Sequence, residues 1–233
     1  MKTTLFVLTY NEIDGMRSIM PRVKREWVDQ IIIADGGSTD GTLEYAKEHG
    51  YTTFVQKKKG IRHAYIEGFP LISGDIVITF SPDGNSIPEA IPELIKKIRE
   101  GYDMVIASRY LEDAVSHDDD IFTGFGNWFF KKSINLFFGS KYADALVIFR
   151  AYRKSLFYEL DLHKEESYNT EKLLFTVIGI EPLLSIRCAK RKLKVTEIPV
   201  DEPERIGGER KLQIIRWGGA YYLQILKEIC SWR

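Results

Sequence analysis

The sequence predicts an α/β protein built on a doubly wound, mostly parallel sheet with helices on both faces. Short apolar runs rich in Val, Ile and Phe alternate with amphipathic stretches through the first half of the 233 residues. The connections between them are short, and strand-helix alternation of that kind implies parallel strands. Three polar turns, TYNE, DGGSTDGT and SPDGN, follow predicted strands. Sheets of this class bind ligands beyond the carboxyl ends of their strands.

The predicted strands are Thr3–Thr9, Gln30–Ala34, Thr52–Val55, Asp75–Phe80 and Met104–Ala107. Each is a short buried run bounded by polar or turn residues. The helices between them are Asp14–Trp27, Gly41–Glu48, Ile61–Leu71 and Pro88–Arg99, with Thr39 and Asp40 as caps before the second and Gly101 as a stop after the fourth. After Arg109 the pattern changes to an acidic loop, YLEDAVSHDDD, and then an aromatic, helix-like stretch, GFGNWFFKKSINLFFG. ADALVIFRAYRKSLF suggests a strand and a helix; a polar break over 163–170 precedes helices over 172–180 and 182–190. Val195–Val200 reads as a late strand, PERIGGERK as a basic loop, and 212–232 as an amphipathic helix. The expected organisation is one domain over 1–211, with a helical tail over 212–233.

Lys plus Arg and Asp plus Glu both total 33, so no net charge draws the chain to nucleic acid. Cys188 and Cys230 form neither a metal-ligand spacing nor a disulfide framework, which suits a reducing cytoplasm. MKTTLFVLTYNE reads as a first strand and not as a signal peptide. No apolar stretch approaches the roughly 20 residues that span a bilayer, so the expectation is a soluble protein, peripheral to a membrane at most.

Taken singly, the three turns are ambiguous. In DGGSTDGT, Asp35 suits a ribose or base while the glycines let a backbone approach closely; the same residues equally make a capped helix start. Tyr10 and Glu12 suit stacking on and hydrogen bonding to a nucleobase, or a plain strand end. In SPDGN, Asp83 and Asn85 offer one carboxylate and one amide oxygen to a hard cation, or form only an Asp-Gly turn.

Together the turns resemble glycosyltransferase family 2, the GT-A enzymes that include dolichyl-phosphate mannose synthases and bacterial polysaccharide glycosyltransferases. The resemblance runs through about residue 155 and returns in the tail. ADALVIFRAYR is similar to the family's Asp-x-x-x-Gly-Phe-Arg segment, with Ile148 where glycine is usual. KVTEIPVDEPERIGGERKL is similar to the synthases' Glu-hydrophobic-Pro strand and Arg-x-x-Gly-x-Ser-Lys loop, with Arg210 in place of serine.

The resemblance implies a GT-A (Rossmann-like) fold, with a nucleotide-sugar half over about 1–110 and an acceptor half over 111–211. It also implies inverting, Mg2+- or Mn2+-assisted transfer of a sugar from a UDP- or GDP-sugar. Tyr10, Glu12 and Asp35 would hold the nucleoside, and Asp83, with Asn85, would bind metal and diphosphate. Ser81 stands where the first acid of Asp-x-Asp is usual, Gly36 replaces the second acid of an Asp-Asp pair, and Thr9 replaces a proline. The loss of charge at Ser81 implies weaker metal binding.

The acceptor is left open between a polyprenyl phosphate and a glycan. A glycan hydroxyl needs a base, with Asp144 first and Glu181 second. A phosphate needs cations, with Arg109, Arg205 and Lys211 as candidates. The acidic run Asp118–Asp120 is expected to be a solvated loop, and would otherwise repel an anionic acceptor or hold a cationic or hydroxyl-rich one. The aromatic stretch and tail suit a bilayer surface, the core or a homodimer interface. A non-catalytic nucleotide-sugar-binding scaffold is the alternative to an enzyme, supported only by the missing acid.

Overall fold

The computed structural model describes residues 1–207 and 214–231. In chain order its elements are β1 (Thr3–Thr9), α1 (Ile13–Ile19), β2 (Gln30–Asp35), α2 (Thr42–Glu48), β3 (Thr52–Val55), α3 (Ile61–Gly68), β4 (Ile76–Phe80), α4 (Ile91–Arg99), β5 (Met104–Ser108), α5 (Ile121–Phe138), β6 (Arg150–Arg153), α6 (Leu156–Glu159), α7 (Glu181–Lys190), β7 (Val195–Pro199) and α8 (Ile214–Cys230). The strands form one sheet in the order β3-β2-β1-β4-β6-β5-β7. β6 runs antiparallel to β4 and β5, and the remaining pairs are parallel.

Side chains along β1 alternate between two buried faces. Leu5 and Val7 pack with Met16, Ile19, Ala46, Leu94 and Ile98 from α1, α2 and α4. Phe6 and Leu8 pack on the other face with Tyr65 of α3 and with Leu183, Leu184 and Ile186 of α7. Burial on both faces is why the strands read as continuous apolar runs. From β1 the chain builds outward through β2 and β3, then crosses to β4 on β1's other side. That reversal opens a crevice at the carboxyl ends of β1 and β4.

Two helix expectations need correction. The segment 14–27 is helical only to Ile19, then breaks into 3-10 turns at Met20–Arg22 and Arg25–Trp27. Pro21 has no N–H to continue an α-helix. The helix over 172–180 is absent; a 3-10 segment, Glu165–Leu174, ends at Phe175 with φ +50°. There Ile178 N donates instead to the Glu171 carboxylate at 2.8 Å.

Candidate active site

The three turns meet at the crevice. Thr9 lies opposite Asp35 in the parallel register of β1 and β2, and its hydroxyl donates to Asp35 Oδ2 at 3.1 Å. The buried Asp35 carboxylate also accepts from Gly37 N, Ser38 N and Ser38 Oγ at 2.9, 2.8 and 2.6 Å. Threonine in place of proline therefore supplies a donor that helps hold Asp35. In this arrangement the carboxylate shapes its own turn. The loops are sewn together by Asn11 N donating to Ser38 Oγ and Thr39 N donating to Asn11 Oδ1, both at 2.8 Å.

Tyr10 is half exposed, and its ring lies over Gly36, where a Cβ would come within 3.2 Å of the ring. Glycine in place of an acid thus lets the aromatic ring lie against the turn. Asp40, expected as a cap, acts from just before the glycine N-cap: its Oδ1 accepts from Thr42 N at 3.0 Å. Thr42 Oγ1 in turn accepts from Glu12 N at 2.9 Å.

Gly15 joins the first turn to the third. A Cβ on it would lie 2.1 Å from Pro82 O, so α1 and the SPDGN turn touch backbone to backbone. This brings the buried Glu12 near the buried Asp83. Asp83 Oδ1 accepts from Asn85 N at 3.1 Å, and Asp83 Oδ2 pairs with Arg205 Nη2 at 2.9 Å. Arg205 Nη1 lies 3.5 Å from Glu12 Oε1. Arg205 is therefore placed at the Asp83 corner, bridging two carboxylates from opposite sides of the crevice. Its loop is fastened there: Ile206 N donates to Asp83 O at 2.7 Å and Asn85 Nδ2 to Pro203 O at 2.8 Å. Gly84, at φ +98°, leaves the space that Ile206 fills.

Asn85 donates through its amide nitrogen, which leaves the amide oxygen for a cation. No cluster of three or more His, Cys, Asp or Glu suited to a metal occurs among the described residues. One carboxylate and one amide oxygen fit a hard cation that takes its remaining ligands from water and from a bound diphosphate. Ser81 adds no charge to that set.

On the other side, Arg109 sits between two carboxylates. Its Nε and Nη2 donate to Asp144 at 2.6 and 3.2 Å, and its Nη1 to Glu202 at 3.1 Å. Burial alone would raise the Asp144 pKa, but the Arg109 charge and hydrogen bonds outweigh it and hold it below the usual carboxylate range. Burial pushes the Glu202 carboxyl up, although Arg109 opposes this. An anion arriving at Arg109 meets a cluster with two carboxylates and one guanidinium. Asp144 is 2 % exposed and serves to orient Arg109, which leaves it poorly placed as a free base. Glu181 is also misplaced for that role. It is sealed in the core, where Tyr65 donates its hydroxyl to the carboxylate at 2.5 Å and burial raises its pKa. Lys211 lies outside the described residues.

The acidic run is an ordered part of the fold. Asp120 caps α5, accepting from Thr123 N at 2.8 Å, and Asp119 accepts from Asn127 and from the Tyr110 hydroxyl. Sequence reasoning gave no role to Gly15, Glu197 or Glu202. Glu197 accepts from Ala143 N and Asp144 N at 2.6 and 2.8 Å, holding the loop that carries Asp144. A glycine inside the helical pattern NEIDG, and the glutamate of the Glu-hydrophobic-Pro strand, were the visible signals.

The model of the family described as "Glycosyl transferase family 2" matches residues 4–161, which hold all three turns and Asp144. The chain belongs to glycosyl transferase family 2. Among relatives in the family, glycosyltransferase AglJ of Haloferax volcanii is 27% identical over 94% of this chain and 69% of its own length. A dolichol-phosphate mannosyltransferase of Pyrococcus furiosus is 29% identical over 91% of this chain and 60% of its own length. The chain thus spans about two thirds of the length of these family members. In fold, it is similar to glucosyl-3-phosphoglycerate synthase of Mycobacterium tuberculosis solved with Mn2+, UDP and phosphoglyceric acid. That likeness has a TM-score of 0.70 at 19% identity and covers all of this chain and 79% of the other. It places the family 2 chain in the GT-A fold.

Proposed function

We propose that this family 2 chain transfers a sugar from a UDP- or GDP-sugar to a polyprenyl phosphate. The observation that carries the reading is the meeting of Tyr10, Glu12, Asp35 and Asp83 at the β1–β4 crevice. The half-exposed Tyr10 ring suits a base, and Glu12 the nucleoside. Mg2+ or Mn2+ would be held by Asp83 and Asn85, and when bound it supplies positive charge to the departing diphosphate. The chain's own residues orient the donor and keep its anomeric carbon facing the acceptor half.

Two observations favour a lipid phosphate over a glycan. Asp144 is locked to Arg109 and Glu181 is in the core, so neither offers the base a sugar hydroxyl needs. A phosphate oxygen is already ionised and needs none. The relative from P. furiosus carries dolichol phosphate in its name.

The second observation is a pair of inside-out helices. Phe125, Trp128, Phe129, Leu136 and Phe137 of α5 and Tyr222, Leu226 and Ile229 of α8 face outward, whereas Gln224 and Glu228 of α8 are fully buried. Phe129 and Tyr222 lie 5.6 Å apart, so the two faces adjoin. α5 has no acidic residue, the one acid of α8 is the buried Glu228, and Lys132 and Arg216 are exposed. An apolar, aromatic face on two helices whose own exposed charges are all cations, with Asp120 at the α5 N-cap, suits the surface of an anionic bilayer. No helix among the described residues is long and apolar enough to cross a membrane. Peripheral docking at the membrane's inner face would bring the acceptor half to its lipid.

The test combines UDP- and GDP-sugars, Mn2+, and either polyprenyl phosphate in vesicles or soluble glycans. Transfer to the lipid, lost in Asp83→Ala, is the expected result. Transfer to glycans alone would overturn the acceptor; an unaffected Asp83→Ala would overturn the donor site. Absence of both transfer and donor hydrolysis with every donor would leave the scaffold reading standing. Flotation with phosphatidylglycerol vesicles is expected and should fall in Trp128→Glu. A dimer in solution without flotation would assign the outward face to a second copy.

A further inference from the structure

The Arg205 contact has a consequence for how the cation enters. Its guanidinium is the partner of Asp83 Oδ2 at 2.9 Å and lies 3.5 Å from Glu12 Oε1. A divalent cation needs the same Asp83 carboxylate, in a site that has lost a charge at Ser81. A guanidinium held against that carboxylate both fills the position and repels a second positive charge. The placement is built by more than the ion pair. Pro203 O and Ile206 N each hydrogen-bond the 83–85 turn, and Ile206 fits the space left by Gly84. Arg205 is also able to leave. Its side chain is 20 % exposed, and its Nε is buried without a partner, so the position is not fully satisfied.

We propose that Arg205 competes with the divalent cation for Asp83, so that the donor-free protein excludes the metal and the cation enters together with the diphosphate. The proposal rests on the reading of Asp83 as the diphosphate-metal corner and adds an order of events to it. With Arg205 in place, the Asp83 carboxylate already holds a positive charge at 2.9 Å. Without it, Asp83 Oδ2 loses its guanidinium and attracts a cation more strongly. The donor diphosphate reverses the balance in the native chain, because it brings its own oxygens as ligands and its own negative charge as an alternative partner for the guanidinium.

The experiment measures Mn2+ binding to the donor-free protein by the electron paramagnetic resonance signal of free Mn2+. It compares the native chain with Arg205→Gln, Asp83→Asn and the double variant, then repeats the titrations with UDP. Native protein should bind Mn2+ weakly alone and markedly better with UDP. Arg205→Gln should bind Mn2+ alone more tightly by roughly tenfold or more, the size expected from freeing a charged hydrogen-bonded partner. Asp83→Asn and the double variant should bind it at neither stage. Equal donor-free affinity in native protein and Arg205→Gln, with Asp83→Asn still abolishing the UDP-dependent binding, would overturn the competition and leave the metal corner standing. Binding that persists in Asp83→Asn with UDP would overturn the metal corner itself. Arg205→Lys is the check on folding: it keeps a cation but cannot bridge two carboxylates with a planar fork, so its donor-free affinity should fall between native and Arg205→Gln.

Discussion

Gly15→Ala tests whether the contact between α1 and the SPDGN turn shapes the site. The added methyl would lie 2.1 Å from Pro82 O, 3.0 Å from Pro82 C and 3.2 Å from Asp83 Cα, all backbone atoms that cannot rotate away. Ordinary contact begins at 3.4 Å, so the two segments must part by about 1.3 Å along the closest approach. Overpacking of this kind costs about 1–3 kcal/mol, or roughly 4–8 °C of Tm at the middle of that range for a chain of this size. The parting also pulls Glu12 away from Arg205 and Asp83, so donor binding should weaken along with stability. Gly126→Ala is the matched control. It lies within α5, where a Cβ would meet nothing within 4 Å, and should stabilise by about 0.5–1 kcal/mol through helix propensity alone. Urea unfolding of both variants, with UDP-sugar titration of each, gives the two signs. A Gly15→Ala protein within about 0.5 kcal/mol of native and with unchanged donor affinity would refute the argument.

Two further outcomes concern the core. Burial raises the Glu181 pKa, so the folded state keeps a proton that the unfolded chain has released. The stability from that proton is fully present below the unfolded value and is lost as pH rises through the folded one. Glu181→Gln should therefore gain on native protein between pH 4 and pH 8; a Tm difference constant across that range would count against it. Glu228 is fully buried and pairs with Arg187 Nη2 at 2.8 Å, fastening α8 to α7. Glu228→Ala breaks the buried ion pair with Arg187 and should cost about 3–5 kcal/mol, with faster hydrogen exchange along α8. A loss below about 1 kcal/mol would show that α8 is held by its apolar contacts.

Strand positions were legible because burial on both faces leaves a largely apolar run, and Thr3–Thr9, buried throughout, is a strand to the residue; the edge strand Thr52–Val55 is exposed at both ends. Helix ends were less so. Periodicity carries through Pro21, where the missing N–H ends α1, and through 176–178, where a side chain of Glu171 takes the amide that a helix would have used. The antiparallel insertion of β6 leaves no trace in its own four residues, since pairing direction depends on the neighbours.

By itself, the sequence determined the alternation that makes a doubly wound sheet, the three turns after β1, β2 and β4, and the family to which they belong. Those are local matters of period, turn chemistry and spacing. Only the tertiary structure decided which carboxylates are free and which are occupied. Asp144 and Glu181 look alike as candidate bases in the chain, yet one is chelated by Arg109 and the other is sealed beneath Tyr65. Arg205 reads as an acceptor cation from its loop, yet folds back onto Asp83. The physical reason is that a charge is defined by its partners and its burial, and both come from segments distant in the chain.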